Sequence, residues 1–176
     1  MRKFLAGILI SLAAALSGCG AAETVRPEDV VVGNTIPDFN LESLDGATMS
    51  KASLKGEPVV LNFFASWCTN CRAEIPELKQ VAASAGRKAK VIGIALDETG
   101  AETVKPFVES QGINYQVLLG DQETFQQFNG VAIPYTIVLD GSQRIVKVYR
   151  GHAGREELDA ALRQIEAGNV AQLGER

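Results

Sequence analysis

Apolar residues along this chain come in short runs separated by polar turns, and the runs switch between strand-like and helix-like periodicity. The most apolar central run is Pro58-Val-Val-Leu-Asn-Phe-Phe64, interrupted only by Asn62. Apolar on both faces, it predicts a strand inside a sheet that is covered on both sides. From about Thr69 the spacing changes. Ile75, Leu78, Val81 and Ala82 share one face of a helix, and Pro76 within it predicts a kink. Lys90–Leu96 (KVIGIAL) predicts a second buried strand, so that strand, helix and strand form a right-handed βαβ unit with parallel strands. Residues 97–112 read as a second helix carrying Val104, Phe107 and Val108, with Thr103 as its expected cap and Pro106 in its first turn. Tyr115–Leu119 reads as a short strand and Thr124–Phe128 as one or two helical turns. Tyr135–Leu139 and Arg144–Tyr149, joined by Asp140-Gly-Ser-Gln143, predict an antiparallel hairpin. A last helix runs from Arg155 to Ala167, with Leu158, Ala161, Leu162 and Ile165 on one face, acids in its first turn and Gly168 after it. Ahead of all these, residues 33–56 hold short apolar pieces around Asp45-Gly46, the pattern of a β-hairpin.

The first residues differ from everything after them. Arg2-Lys3 is a positive start, and Phe4 to Leu16 is apolar apart from Ser11. The run is shorter than the ~20 residues that span a bilayer, and it suits the apolar region of a signal peptide. Leu16-Ser17-Gly18-Cys19 resembles a bacterial lipobox. That resemblance implies cleavage before Cys19 and a lipid on its thiol. The expected organisation is therefore a signal peptide over 1–18, a lipidated Cys19 and tether over 19–32, and one globular domain over 33–176. Removal of Arg2 and Lys3 leaves 15 basic residues against 21 acidic ones, a net charge of −6. With no Lys/Arg cluster, this balance argues against a nucleic-acid partner.

Cys19 also bears on the cysteine count. Three cysteines are odd for an exported chain; with Cys19 acylated, Cys68 and Cys71 remain as one pair. They lie two residues apart where the central strand meets the first helix. A helix N-terminus offers unpaired N–H groups and about half a positive charge, which favours a thiolate. The second cysteine, one turn along, can displace whatever the first has attacked. Half of a zinc site is the competing reading, but such a site normally needs four ligands, and the rest of the chain offers only Cys19 and His152.

The order of elements resembles the thioredoxin fold, and more narrowly the membrane-tethered thioredoxin-like thiol–disulfide oxidoreductases of bacteria, including those serving cytochrome c maturation. The resemblance runs from about Gly33 to Gly168. It is carried by Pro37-Asp38-Phe39, Leu41, Asp45-Gly46, Leu54-Lys55-Gly56, Val59 to Cys68, Cys71-Arg-Ala-Glu-Ile-Pro-Glu-Leu78 and Ile133-Pro134. It implies an α/β fold with a mixed central sheet, helices on both faces, an N-terminal β-hairpin extension and a central helix–strand insertion. It also implies a redox-active disulfide between Cys68 and Cys71, with Cys68 as nucleophile and Cys71 as resolving thiol. Pro134 is implied to follow a cis bond and to face the pair, keeping the preceding backbone free to pair with substrate. Trp67 is the usual neighbour of such a site. Asn62 stands where ordinary thioredoxins carry a buried Asp, and its amide cannot ionise. Glu74 matches a Glu of the tethered subfamily, where it is suggested to help proton transfer; the alternative is a solvated helix carboxylate. Thr69-Asn70 lacks the Pro common before the second cysteine, which leaves the reduction potential open.

These expectations describe an enzyme without metal or cofactor, a monomer held to a membrane of the bacterial cell envelope and facing outward, in the periplasm if the cell is Gram-negative. It would exchange thiols with exported client proteins, in the reductive direction, and be recharged by a membrane redox donor. A peroxiredoxin-type peroxidase is the first alternative, but that family needs a Thr at the place of Ala65. A copper-carrying assembly protein is the second; it would need a longer cysteine spacing and a distal His, for which only His152 is available.

Overall fold

The structure is a computed structural model that describes residues 30–84 and 89–168. The expected signal peptide and Cys19 lie outside the described residues. Two short strands, β1 (Asn40–Glu42) and β2 (Thr48–Ser50), pair antiparallel around Asp45-Gly46, where Gly46 takes φ 86°. A 3-10 turn at Lys51–Leu54 leads to β3 (Val59–Phe64), α1 (Thr69–Ala83) and β4 (Lys90–Ala95). Then follow α2 (Ala101–Gln111), β5 (Gln116–Leu119), α3 (Gln122–Gln127), β6 (Tyr135–Leu139), β7 (Ile145–Arg150) and α4 (Arg155–Glu166). The main sheet has the order β5-β4-β3-β6-β7. β3, β4 and β5 are parallel, while β6 runs antiparallel to β3 and β7 antiparallel to β6.

Strand alternation explains the two-sided core. Odd residues of β3 (Val59, Leu61, Phe63) join Ile92, Ile94, Leu118, Phe125, Phe128 and Ile137 on one face. Even positions turn to the other face. There Val60 packs with Leu78 and Val81 of α1 and with Leu158, Ala161 and Leu162 of α4, and Phe64 packs with Val104 of α2. All six residues of β3, Asn62 included, are buried, as a run apolar on both faces predicted.

Two differences from the sequence reading stand out. Val30, placed in the tether, is 1% exposed and belongs to the first core cluster. α2 starts at Ala101 rather than after Thr103: Val104 N–H already donates to the carbonyl of the N-cap Gly100. Pro106 is therefore inside the helix rather than in its first turn. As the apolar face through Ala82 predicted, α1 contains Pro76 and runs on to Ala83. Among the described residues no helix is long and apolar enough to cross a membrane.

Candidate active site

Cys68 is the N-cap of α1, and Cys71 lies in the first turn of that helix. The two are joined by a disulfide, with Cα atoms 5.3 Å apart. The Cys71 N–H donates to Cys68 Sγ at 3.1 Å, so the cap places a backbone donor on this sulfur. Such a donor favours negative charge, as does the helix end itself. Cys68 is 8% exposed and Cys71 2%, which makes Cys68 the sulfur a partner can reach. Its Sγ lies 4.0 Å from the carbonyl oxygen of Ile133, and the Ile133–Pro134 bond is cis. Trp67, just before the pair, is 68% exposed.

A buried polar group sits between α1 and the sheet. Glu74 is fully buried. Its Oε1 accepts from the Ala153 N–H at 3.0 Å and from the Thr136 hydroxyl at 3.2 Å; its Oε2 accepts from Asn62 Nδ2 at 3.2 Å. Asn62 Nδ2 also donates to Thr136 Oγ1 at 2.9 Å. Burial pushes the Glu74 carboxyl up from its ordinary 4.5, while the Ala153 N–H, the Thr136 hydroxyl, the nearby His152 and the Asn62 amide pull the other way. Desolvation disfavours the carboxylate and the donors favour it. The raised value means that desolvation dominates. His152 is largely exposed, with Nε2 3.9 Å from Glu77 Oε1.

Residues 32–148 match the AhpC/TSA family model, which is more than half of the 176-residue chain. The chain belongs to the AhpC/TSA family. The thioredoxin-like protein YneN of Bacillus subtilis (strain 168) is 27% identical over 166 residues, covering 92% of this chain and 98% of that protein. The thiol-disulfide oxidoreductase ResA of Bacillus thuringiensis (strain Al Hakam) is 28% identical over 140 residues, covering 78% and 80%. The crystal structure of a thiol:disulfide interchange protein of the thioredoxin family from Chlorobium tepidum TLS superposes with a TM-score of 0.67 at 34% identity, covering 77% of this chain and 97% of that one. The fold is thus the thioredoxin-like α/β fold, and the protein is a thiol–disulfide oxidoreductase.

Within this family member the geometry brings together residues that the sequence named separately. The Cys68–Cys71 pair, flanked in the chain by Trp67, comes against the Ile133–Pro134 segment through the Ile133 carbonyl, and Asn62 and Glu74 are bonded to each other. The reading of Glu74 as a solvated carboxylate is corrected, since no part of it reaches solvent. Sequence reasoning missed Thr136 and Asp97. Thr136 is the polar residue in the apolar run Tyr135–Leu139, the one signal that could have flagged it. Asp97 is 6% exposed, follows β4, and accepts from the Ser66 N–H at 3.0 Å and the Ser66 hydroxyl at 2.5 Å. It ties down the turn that carries Trp67 and Cys68. Among the described residues no group of three or more His, Cys, Asp or Glu side chains is placed to hold a metal ion.

Proposed function

We propose that this oxidoreductase works reductively on disulfides of exported client proteins, with Cys68 attacking, Cys71 resolving and Glu74 carrying a proton for the pair. The observation that carries this reading is the asymmetry of the two sulfurs. Cys68 is the more exposed, caps α1 and receives the Cys71 N–H, while Cys71 is enclosed. A thiolate at Cys68 attacks one client sulfur, the other client sulfur departs as thiolate, and Cys71 then displaces the client to close the Cys68–Cys71 disulfide. Glu74, in the helical turn after Cys71 and with a raised pKa, is suited to take up or return the proton of the enclosed thiol. Two electrons pass to the client per cycle, and a membrane donor of dithiol type would restore the pair. The relatives named thiol-disulfide oxidoreductase ResA support the redox reading. The signal-peptide pattern and Cys19 support an outward-facing, lipid-anchored protein. A peroxidase reading lacks support at position 65, where a fully buried Ala65 offers no hydroxyl.

Trapping tests the assignment. A Cys71→Ser protein expressed in place of the native one is expected to accumulate mixed disulfides through Cys68 with exported proteins. These are resolved on a non-reducing gel and released by dithiothreitol. Absence of any adduct, with the variant folded and exported, counts against the assignment of roles. A reduction potential in the range of strong oxidants would reverse the direction.

A further inference from the structure

The surface beside Cys68 opens into a cleft of about 810 Å³, within the ~300–1,000 Å³ of cavities that hold ligands. Trp67 and Ile133 line it; Trp67 precedes Cys68 in the chain and the Ile133 carbonyl lies 4.0 Å from Cys68 Sγ, so the cleft adjoins the residues around the reactive sulfur. Two independent features mark it as a contact surface. Among the described residues only Val31, Trp67 and Val131 are large hydrophobic side chains left exposed. Trp67 at 68% and Val131 at 84% both line this cleft. Exposed apolar area gathered at one place is the mark of a contact surface rather than of ordinary surface scatter.

The second feature is charge. The lining contains Asp97, Glu98 and Asp121 and no Lys, Arg or His. The Asp97 carboxylate accepts from the Ser66 N–H and hydroxyl, and Asp121 accepts from the Thr124 N–H at 2.7 Å as the N-cap of α3. These donors are neutral, so they leave the negative charges in place. Hydrogen bonding to Thr124 also holds the Asp121 carboxyl below the usual carboxylate range. Glu98 is exposed.

We propose that this cleft is the specificity site for a client segment that places an apolar residue and a Lys or Arg beside the cysteine under attack. The proposal rests on the reductase reading above and adds the substrate class to it. The apolar side chain would lie against Trp67 and Val131, and the cation would face Glu98 and Asp121. A client flanked by Asp or Glu would meet like charge there, which disfavours the wrong partner as well as favouring the right one. The chemistry is ordinary exchange. Reduced Cys68 forms an S–S bond to the client sulfur beside the cationic flank, the client's second sulfur leaves as thiolate, and Cys71 then forms the internal disulfide and frees the first client sulfur. A small dithiol added in excess returns the pair to the reduced state.

Three peptide disulfides test this. They are identical except that the residue beside a shared Leu, next to the cysteine, is Lys, Gln or Glu, and kcat/KM is measured for each. The expected order is Lys, then Gln, then Glu, with about tenfold between the extremes, the scale of a few solvent-exposed charge pairs. The spread should shrink as ionic strength rises from roughly 0.01 M to 1 M, where the Debye length falls from ~30 Å to ~3 Å. In a Glu98→Gln/Asp121→Asn protein the Lys-to-Glu ratio should fall to about twofold or less. Asn caps a helix as well as Asp does, so α3 keeps its cap, and an unchanged circular dichroism spectrum and unfolding midpoint check the fold. Equal rates on the three peptides overturn this proposal and leave the reductase reading standing. A ratio unchanged in the double variant also overturns it. Reduction of none of the three overturns both.

Discussion

Asn62 and Glu74 are twelve residues apart, and the hydrogen bond between them gives each a role that neither has alone. An Asp at position 62 would put a second carboxylate against Glu74, and two adjacent carboxylates resist ionising together. Asn62 instead donates to the carboxylate and accommodates it in either state. Burial raises the Glu74 pKa above its ordinary 4.5, and the sign of the linkage follows. The folded state holds this proton more tightly than the unfolded state, so the stability it contributes is complete below about pH 4.5 and is lost as pH rises through the folded value. The wild-type urea midpoint should therefore fall as pH rises above 4.5, and Glu74→Gln should remove that component of the slope. The same variant should slow thiol exchange near neutral pH by about 10²-fold, the low end for a positioned acid–base group, and lose one limb of the pH–rate profile. An unchanged profile would take Glu74 out of the mechanism. The identity and spacing of Glu74 were legible in the chain. Its burial was not, because burial depends on the register that sets Asn62 opposite Thr136 and on Ala153 arriving from beyond β7.

At the scale of elements, the hairpins and the central strand follow the sequence pattern, and α2 departs from it. Thr103 looked like a cap because Ser, Thr, Asp and Asn favour that position. In the fold its hydroxyl instead bonds that of Thr99, and the helix begins at Ala101. The earlier start lets Val104 reach 0% exposure in the cluster that holds Phe64, Ala65 and both cysteines. Burial of that side chain outweighs a local capping preference. The cost falls on Pro106, which has no N–H to donate to the carbonyl of Glu102 four residues back. Pro106 is exposed, so its replacement leaves no cavity. Pro106→Ala should raise stability by about 1–2 kcal/mol: up to ~3 kcal/mol for relieving an interior proline, less the ~0.4–1 kcal/mol of added freedom in the unfolded chain. Urea titration measures it, and a midpoint that does not rise would show that α2 tolerates the gap through another donor.

Across the whole molecule, the proposed anchor and the catalytic domain occupy separate stretches of the sequence. The lipid reading rests on Leu16-Ser17-Gly18-Cys19 alone. A Cys19→Ser protein should move from the membrane pellet to the soluble extracytoplasmic fraction, with its in vitro disulfide reductase rate unchanged; continued pelleting would remove the lipid assignment. For the domain, the chain by itself determined the local features. The double-sided apolar run of β3, the periodicity of α1 and α4, the glycine-bearing turns and the reactive spacing of Cys68 and Cys71 are all short-range patterns. What the tertiary structure alone decided is which distant residues meet those sulfurs. β6 runs antiparallel to β3 with Phe63 opposite Tyr135, so the chain enters β6 at the end where β3 leaves for α1. Ile133 thereby comes against Cys68 across 65 residues. β4 runs parallel to β3 with Phe64 opposite Ala95, so Asp97 emerges beside Ser66 and fixes the turn before the pair. Local sequence sets the periodicity of a strand, but its direction and register depend on which neighbours bury its faces. For that reason the reactive pair was legible in the chain, while the burial of Glu74 behind Asn62 and Thr136 and the acidic cleft beside the pair emerged only with the assembled sheet.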